Sequence, residues 1–216
     1  MIDYIIDINE QNCFITFNYD LFLDDAVVIN NYKINYGLLG DYNLNFDSVE
    51  NFPGYNRLLK GNRKPEDFDL LKLHGSLNWA RCPSCNNITL SFRSNYKLIL
   101  KHTCPRCKVR LVPILVPPTL KKNIDLYGIG SVWNRAEEML SKADNLTIIG
   151  YSFPDADIEA KWLFKRALAK GGKVPILTLV EPKSEVREKI IKMFGNTVKD
   201  VIEYEKFEDY CEGRHL

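Results

Sequence analysis

The chain has 216 residues, of which 45% are hydrophobic, and a formal net charge of +1. That length allows one sizeable core with a small module attached, and the near-neutral balance excludes a strong overall pull toward nucleic acid or an anionic surface. The opening residues are interrupted by Asp3, Asp7 and Glu10 and show no basic leader, and no apolar run reaches the ~18 residues that span a bilayer; the expectation is a cytoplasmic protein with no membrane partner.

Short apolar runs rich in β-branched residues recur along the chain. Those at Cys13 to Phe17, Leu70 to Leu73, Val112 to Val116, Leu146 to Ile149 and Val174 to Val180 predict strands buried on both faces of a parallel sheet. Between them, helical periodicity predicts helices over Ser131 to Lys142, Asp155 to Lys170 and Ser184 to Phe194. In the second, Pro154 suits a first helical position, Ile158, Trp162, Leu163 and Ala167 share one face, and Gly171-Gly172 supply a stop. In the third, Ser184 is the expected N-cap, with Val186, Ile190 and Phe194 facing inward. Strands alternating with helices imply a doubly wound, Rossmann-like α/β domain. It takes residues 1–80 and 111–216, with residues 24–69 as an irregular or partly helical insertion rich in Asn, Tyr and Asp. Residues 81–110 form a separate module.

That module carries Cys82-Pro-Ser-Cys85 and Cys104-Pro-Arg-Cys107, separated by 18 residues. Two residues between cysteines let both thiolates of a knuckle face one ion, and the second knuckle completes a tetrahedron. The spacing predicts a zinc ribbon with a hairpin between the knuckles: Ile88 to Phe92, a turn at Arg93-Ser94-Asn95, then Tyr96 to Leu100. Four cysteines fill the coordination shell, so the metal is expected to be structural. Cys13 reads as a core residue, and Cys211 has no evident partner. The module holds seven Lys or Arg and no acid, leaving 22 basic against 28 acidic residues elsewhere. A basic ribbon suits an acidic partner surface or nucleic acid. The plainer account is that the cations offset a zinc–thiolate centre, and the absence of an aromatic stacking platform favours it over nucleic acid.

Three polar clusters follow predicted strands, at the edge where ligands bind in open α/β sheets. They are Thr16 to Asp20, His74 to Trp79, and Gly150 to Asp157. Singly, each has a plain account: Asn18 and Asp20 as helix caps, His74 as a core histidine, Gly150 and Ser152 as turn residues.

Taken together, Thr-x-Asn-x-Asp (Thr16 to Asp20), then His74-Gly75, a four-cysteine site, and a strand ending Gly150-Tyr151-Ser152 resemble the sirtuin (silent information regulator) family. Leu71-Lys-Leu-His-Gly-Ser-Leu-Asn-Trp79 and Ile149-Gly-Tyr-Ser-Phe-Pro-Asp-Ala-Asp157 are closest to its bacterial, NAD-consuming branch. The resemblance runs from about Cys13 to Pro182. It implies cleavage of the nicotinamide–ribose bond of NAD and transfer of ADP-ribose to an acceptor. It implies that Asn18 holds the nicotinamide ribose and a water, that Asp20 supports the nicotinamide side, and that His74 is the general base, a task suited to an imidazole. Thr16, Asn18, Gly150, Tyr151 and Ser152 become NAD contacts, with the following helix pointing its positive end at the phosphates. Glu181, after the last of the five strands, is assigned to the adenosine ribose, where the family commonly has Asn.

Two departures accompany the match. Family members open with a strand and a Gly-Ala-Gly-x-Ser phosphate loop, and the eleven residues before Asn12 contain no such loop. The expectation is an N-terminally incomplete sirtuin domain that binds NAD more weakly. Deacylating members also carry Phe-Gly-Glu after the zinc module, where this chain has Ile114 to Lys122, and Phe17 and Tyr19 replace their usual Gln and Ile. The leading expectation is an NAD glycohydrolase, a setting that in such relatives is often phage defence. The alternatives are a protein deacylase or ADP-ribosyltransferase acting on an acylated protein, and a catalytically weak module that binds NAD or ADP-ribose or a partner through its ribbon.

Overall fold

The computed structural model describes residues 13–29, 33–38, 43–45, 67–91, 103–117 and 128–213. Within the ribbon, the expected turn at Arg93-Ser94-Asn95 and the return strand Tyr96 to Leu100 lie outside the described residues, as does most of the 24–69 insertion. The chain divides into two compact units. The first comprises Met1–Pro117 and Lys122–Arg135, the second Pro118–Lys121 and Ala136–Leu216.

In the first unit, β1 (Cys13–Thr16), β2 (Lys33–Asn35) and β4 (Asp67–Lys72) form a parallel sheet in the order β1-β4-β2. Cys13 pairs with Asp69 and Thr16 with Lys72. Helix α1 (Phe22–Ile29) follows β1 and buries Ala26 and Val27 against Ile34, Phe68 and Leu70. Asp24 and Asp25 in its first turn suit the positive end of the helix. Leu70, Leu71 and Leu73 are all fully buried, as a strand covered on both faces requires. A second, four-stranded sheet follows in the order β3-β6-β5-β7, from β3 (Asn43–Asn45), β5 (Gly75–Arg81), β6 (Ile88–Ser91) and β7 (Val112–Leu115).

The run at Val112 to Val116 therefore corrects an expectation. It pairs antiparallel to β5 and has only one buried residue, Ile114, within the strand. The stretch after His74 is a strand as well, and not only a strand-end cluster. Both changes have one cause: the chain reverses at His74-Gly75 and runs straight into the ribbon, so β5 and β7 belong to the inserted sheet.

In the second unit, β8 (Asn145–Ile149), β9 (Ile176–Val180) and β10 (Val201–Tyr204) are parallel, in the order β10-β9-β8. Helices α3 (Ile158–Gly171) and α4 (Ser184–Phe194) cross between them, as parallel pairing demands. The strand β10 and the last helix, α5 (Phe207–Gly213), were not expected, because Val201–Tyr204 is a short, largely exposed edge strand of four residues. Helix α2 (Gly130–Ser141) agrees with its expectation to within one residue, and the division between units falls inside it.

Helix α3 begins at Ile158 and not at Asp155, and its buried face is Ala160, Leu163, Phe164, Ala167 and Leu168. Ile158 and Trp162 are 37% and 61% exposed, so they do not share the core face with Leu163. In α4, Ile190 and Phe194 are buried, Val186 is half-buried, and the N-cap is Lys183 with no side-chain cap, where Ser184 was expected. Among the described residues, no helix is long and apolar enough to cross a membrane.

Candidate active site and metal centre

The two cysteine knuckles have the same backbone design. Asn86 N donates to Cys82 O at 2.9 Å, and Lys108 N to Cys104 O at 2.8 Å. Each cysteine amide then donates forward, Cys82 N to Asn87 O at 2.9 Å and Cys104 N to Val109 O at 2.7 Å. Asn86 and Lys108, each just after the second cysteine of its pair, take the left-handed conformation with φ of 57° and 59°. This tight turn brings two thiols to one point. All four ligand atoms lie within 4.8 Å of one another. The Sγ separations are 3.4 Å for Cys82–Cys107 and 3.6 Å for Cys85–Cys104 and Cys104–Cys107. A tetrahedral ion with bonds of about 2.3 Å places its sulfur ligands about 3.8 Å apart, so four thiolates here fit one such ion.

Cys82 and Cys104 are buried on a floor of Ala80 and Leu111, while Cys85 is exposed. Thr103 and Arg110 bridge across the base of the second knuckle. The amide of Cys107 holds the Cys104 thiol down to about 6, whereas hydrogen bonds that the Cys107 thiol gives to Cys85 and Cys82 push it up to about 12.

The first polar cluster is built around His74, which is 4% exposed. The Phe17 ring meets its imidazole edge-on at 5.1 Å, and the Tyr19 ring lies tilted at 6.2 Å. Asn18 lies between those two aromatics in the chain and is exposed. The Thr16 hydroxyl accepts the Asn18 amide at 3.1 Å, and the Asp20 carboxylate accepts the Phe22 amide at 3.1 Å, opening α1. Asp20 therefore does serve as a helix-entry acceptor. Leu73 N donates to Thr16 O and Leu77 N to Tyr19 O, both at 3.0 Å, so residues on either side of His74 hold this turn.

From the other side, Val116 N donates to His74 O at 2.8 Å, and the Tyr19 hydroxyl donates to Val116 O at 2.7 Å. The indole of Trp133 donates to Leu73 O at 2.9 Å. Gly75 adopts φ of 83°, and a Cβ there would lie 2.0 Å from Ile114 O, so only glycine lets the chain turn after His74.

Several residues of this cluster went unrecognised in the sequence: Lys72, Asp24, Tyr36 and Val116. Lys72 Nζ donates to Asp24 Oδ2 at 2.7 Å and to Asp20 O, and the Tyr36 hydroxyl donates to Asp24 Oδ1 at 2.5 Å. One signal was available, because a lysine inside the buried run Leu70 to Leu73 demands a partner.

In the second unit, Gly150 N donates to Val180 O at 3.0 Å, which sets Gly150, Tyr151 and Ser152 beside the carboxyl end of β9, where Glu181 follows. Gly150 takes φ of 62° with open space where a Cβ would stand, and Ser152 is exposed. The rest of the loop is anchored. The Tyr151 hydroxyl donates to the fully buried Asp157 at 2.6 Å. Burial, followed by the Asp157 carboxylate, pushes the Tyr151 phenol above its ordinary range. Phe153 is buried at φ of 47°, in a T-shaped aromatic cluster with Tyr151, Phe164 and Phe194. Lys189 donates to Phe153 O at 3.0 Å. Because Asp157 is occupied by Tyr151, it makes no side-chain cap on α3. The Glu181 carboxylate accepts the Lys183 amide at 3.1 Å.

Thr16, Asn18, Asp20 and His74 thus sit together in one unit, and Gly150, Tyr151, Ser152 and Glu181 together in the other.

Among solved structures, the chain is similar to a Sir2 homologue in complex with NAD, at 19% identity and a TM-score of 0.47, over 94% of this chain and 57% of that one. It is also similar to two variants of a Sir2 homologue, one serine-to-alanine and one histidine-to-asparagine, each in complex with ADP-ribose. Both align at 18% identity and a TM-score of 0.34, over 62% of this chain and 54% of theirs. The chain therefore spans little more than half the length of those proteins. No curated protein matches it. The family model of the SIR2-like domain matches residues 12–199, from the residue before β1 to the residues leading into β10. A match that takes in the Asn18 turn, His74-Gly75, both cysteine knuckles and the Gly150 loop leaves one assignment: the chain belongs to the SIR2-like domain family.

Proposed function

We propose that this domain is an NAD glycohydrolase: it breaks the nicotinamide–ribose bond of NAD and gives the ribose carbon to water, releasing nicotinamide, ADP-ribose and a proton. The observation that supports the reading is the packing of Phe17 and Tyr19, the two chain neighbours of Asn18, on His74. An oxocarbenium-like centre needs an oriented ribose and a nearby proton acceptor. Asn18 supplies an amide to hold the ribose and a water, and His74 takes the proton. Asp20 supports the nicotinamide side, and Thr16 holds the turn. In the second unit, Gly150 and Ser152 are the residues for the ribose and phosphates, Tyr151 is a further NAD contact, and Glu181 accepts from the adenosine ribose. That Gly150 is open and Ser152 exposed supports this.

Water is favoured as acceptor by Val116. An acylated peptide that docked here by strand addition would need free main-chain groups. Both of Val116's are engaged, its N–H by His74 and its carbonyl by Tyr19. Cys82, Cys85, Cys104 and Cys107 would hold zinc as a structural ion, with no open coordination position for chemistry.

The test is product analysis of NAD incubated with the zinc-loaded chain, with and without an acylated peptide, beside His74→Ala and Asn18→Ala. Peptide-independent release of nicotinamide and ADP-ribose, reduced about a hundredfold or more in both variants, is expected. Release that depends on the peptide would move the assignment to a deacylase, and no turnover at all would sink the glycohydrolase reading.

A further inference from the structure

Lys72 is 1% exposed and stands in β4 between the fully buried Leu71 and Leu73. An unpartnered ammonium there would be costly. Its charge is met by Asp24, itself 5% exposed, at 2.7 Å, and the second oxygen of Asp24 accepts the Tyr36 hydroxyl. Buried pairs of this kind add little net stability over a well-packed apolar replacement. What this pair does, and an apolar pair would not, is hold a main-chain oxygen. Lys72 Nζ donates to Asp20 O, across 52 residues of chain.

That contact completes a set. The segment bearing His74 holds three carbonyls of the Asn18 turn: Leu73 holds Thr16, Leu77 holds Tyr19, and Lys72 holds Asp20. The first two are main-chain bonds that any sequence could make. The third depends on one side chain and on Asp24, which keeps that side chain aimed.

We propose that Lys72, backed by Asp24 and Tyr36, is a positioning residue that sets the Asn18 turn against His74. The inference rests on the reading of Asn18 and His74 as the pair that acts on NAD. Lys72 touches no reacting atom in this scheme. Its effect passes through the Asp20 carbonyl to the turn that begins at Asn18.

The test uses the full zinc-loaded chain as Lys72→Met, Lys72→Arg and the double variant Lys72→Met/Asp24→Leu. The double variant removes both charges together, so the fold is kept. In it, kcat for nicotinamide release is expected to fall about tenfold or more, with KM for NAD within about threefold, because orientation and not binding is lost. Lys72→Arg, which keeps a donor, should recover part of that loss. Hydrogen exchange of the amides from Phe17 to Phe22 should accelerate about tenfold in the double variant, with β8 and β9 unchanged. A folded double variant with wild-type kcat and wild-type exchange in this segment would overturn the proposal. If the parent chain does not cleave NAD, the glycohydrolase reading fails on its own, and exchange alone decides: acceleration supports Lys72 as the clamp of the turn, and no change overturns it.

Discussion

Gly75 passes so close beneath Ile114 that a Cβ on the glycine would lie 2.0 Å from the Ile114 carbonyl oxygen. The His-Gly pair therefore owes its glycine to packing against β7 and to a left-handed backbone, both set by the reversal that follows His74. Gly75→Ala is expected to destabilise the first unit by about 2 kcal/mol or more, from left-handed strain plus a forced backbone shift. Urea denaturation followed through Trp79 and Trp133 fluorescence would check this. A change below about 0.5 kcal/mol would mean that the two strands separate easily.

Metal removal should act locally. Cys104→Ser, or a chelator, is expected to abolish binding of one zinc per chain and to expose the amides of Cys82, Asn86, Cys104 and Lys108 to exchange. Binding requires thiolates, and the hydrogen bonds that the Cys107 thiol gives to Cys85 and Cys82 push it up to about 12. Affinity should therefore fall as pH falls, because more protons must be displaced. Zinc release to a chromogenic chelator between pH 8 and pH 5 would read this out, and a pH-independent affinity would contradict a four-thiolate site.

The Tyr19 hydroxyl is predicted to matter for acceptor choice more than for stability. Tyr19→Phe removes one hydrogen bond to Val116 O, at a cost of about 1 kcal/mol. With the carbonyl of Val116 released, hydrolysis of NAD should fall severalfold while any stimulation by an acylated peptide rises. Measured nicotinamide release with and without peptide would show it, and an unchanged ratio would remove Tyr19 from the argument about water.

Acid should weaken the second unit through Glu137. A hydrogen bond from Arg166 holds its carboxyl below the ordinary carboxylate range, with Lys170 adding to the effect. A carboxyl whose pKa is depressed by folding contributes stability that is complete above its unfolded value, about 4.3, and is lost as pH falls through the folded value. Glu137→Gln should flatten the acid limb of the unit's melting temperature between about pH 5 and pH 3 while changing little at pH 7. Arg166 is largely exposed, so the effect is small.

The sequence by itself determined the parts whose logic is local. Two pairs of cysteines, each separated by two residues and set at ribbon spacing, point to a four-sulfur site from the sequence alone. The order of Asn18, His74-Gly75, the knuckles and the Gly150 loop was enough to name the family. Short, largely apolar runs marked β1, β4, β8 and β9, even though Lys72 interrupts the run in β4 and β8 alternates between buried and exposed residues. The tertiary structure decided what depends on partners far apart in the chain. Lys72 finds Asp24 across 48 residues and Tyr19 finds Val116 across 97, and no period or spacing encodes either. The same limit applied to α3, whose apolar Ile158 and Trp162 turned outward because the loop anchored by Tyr151, Phe153 and Asp157 set where the helix begins and which face it buries. Periodicity identifies a helix; packing against a particular sheet fixes its rotation and its first residue.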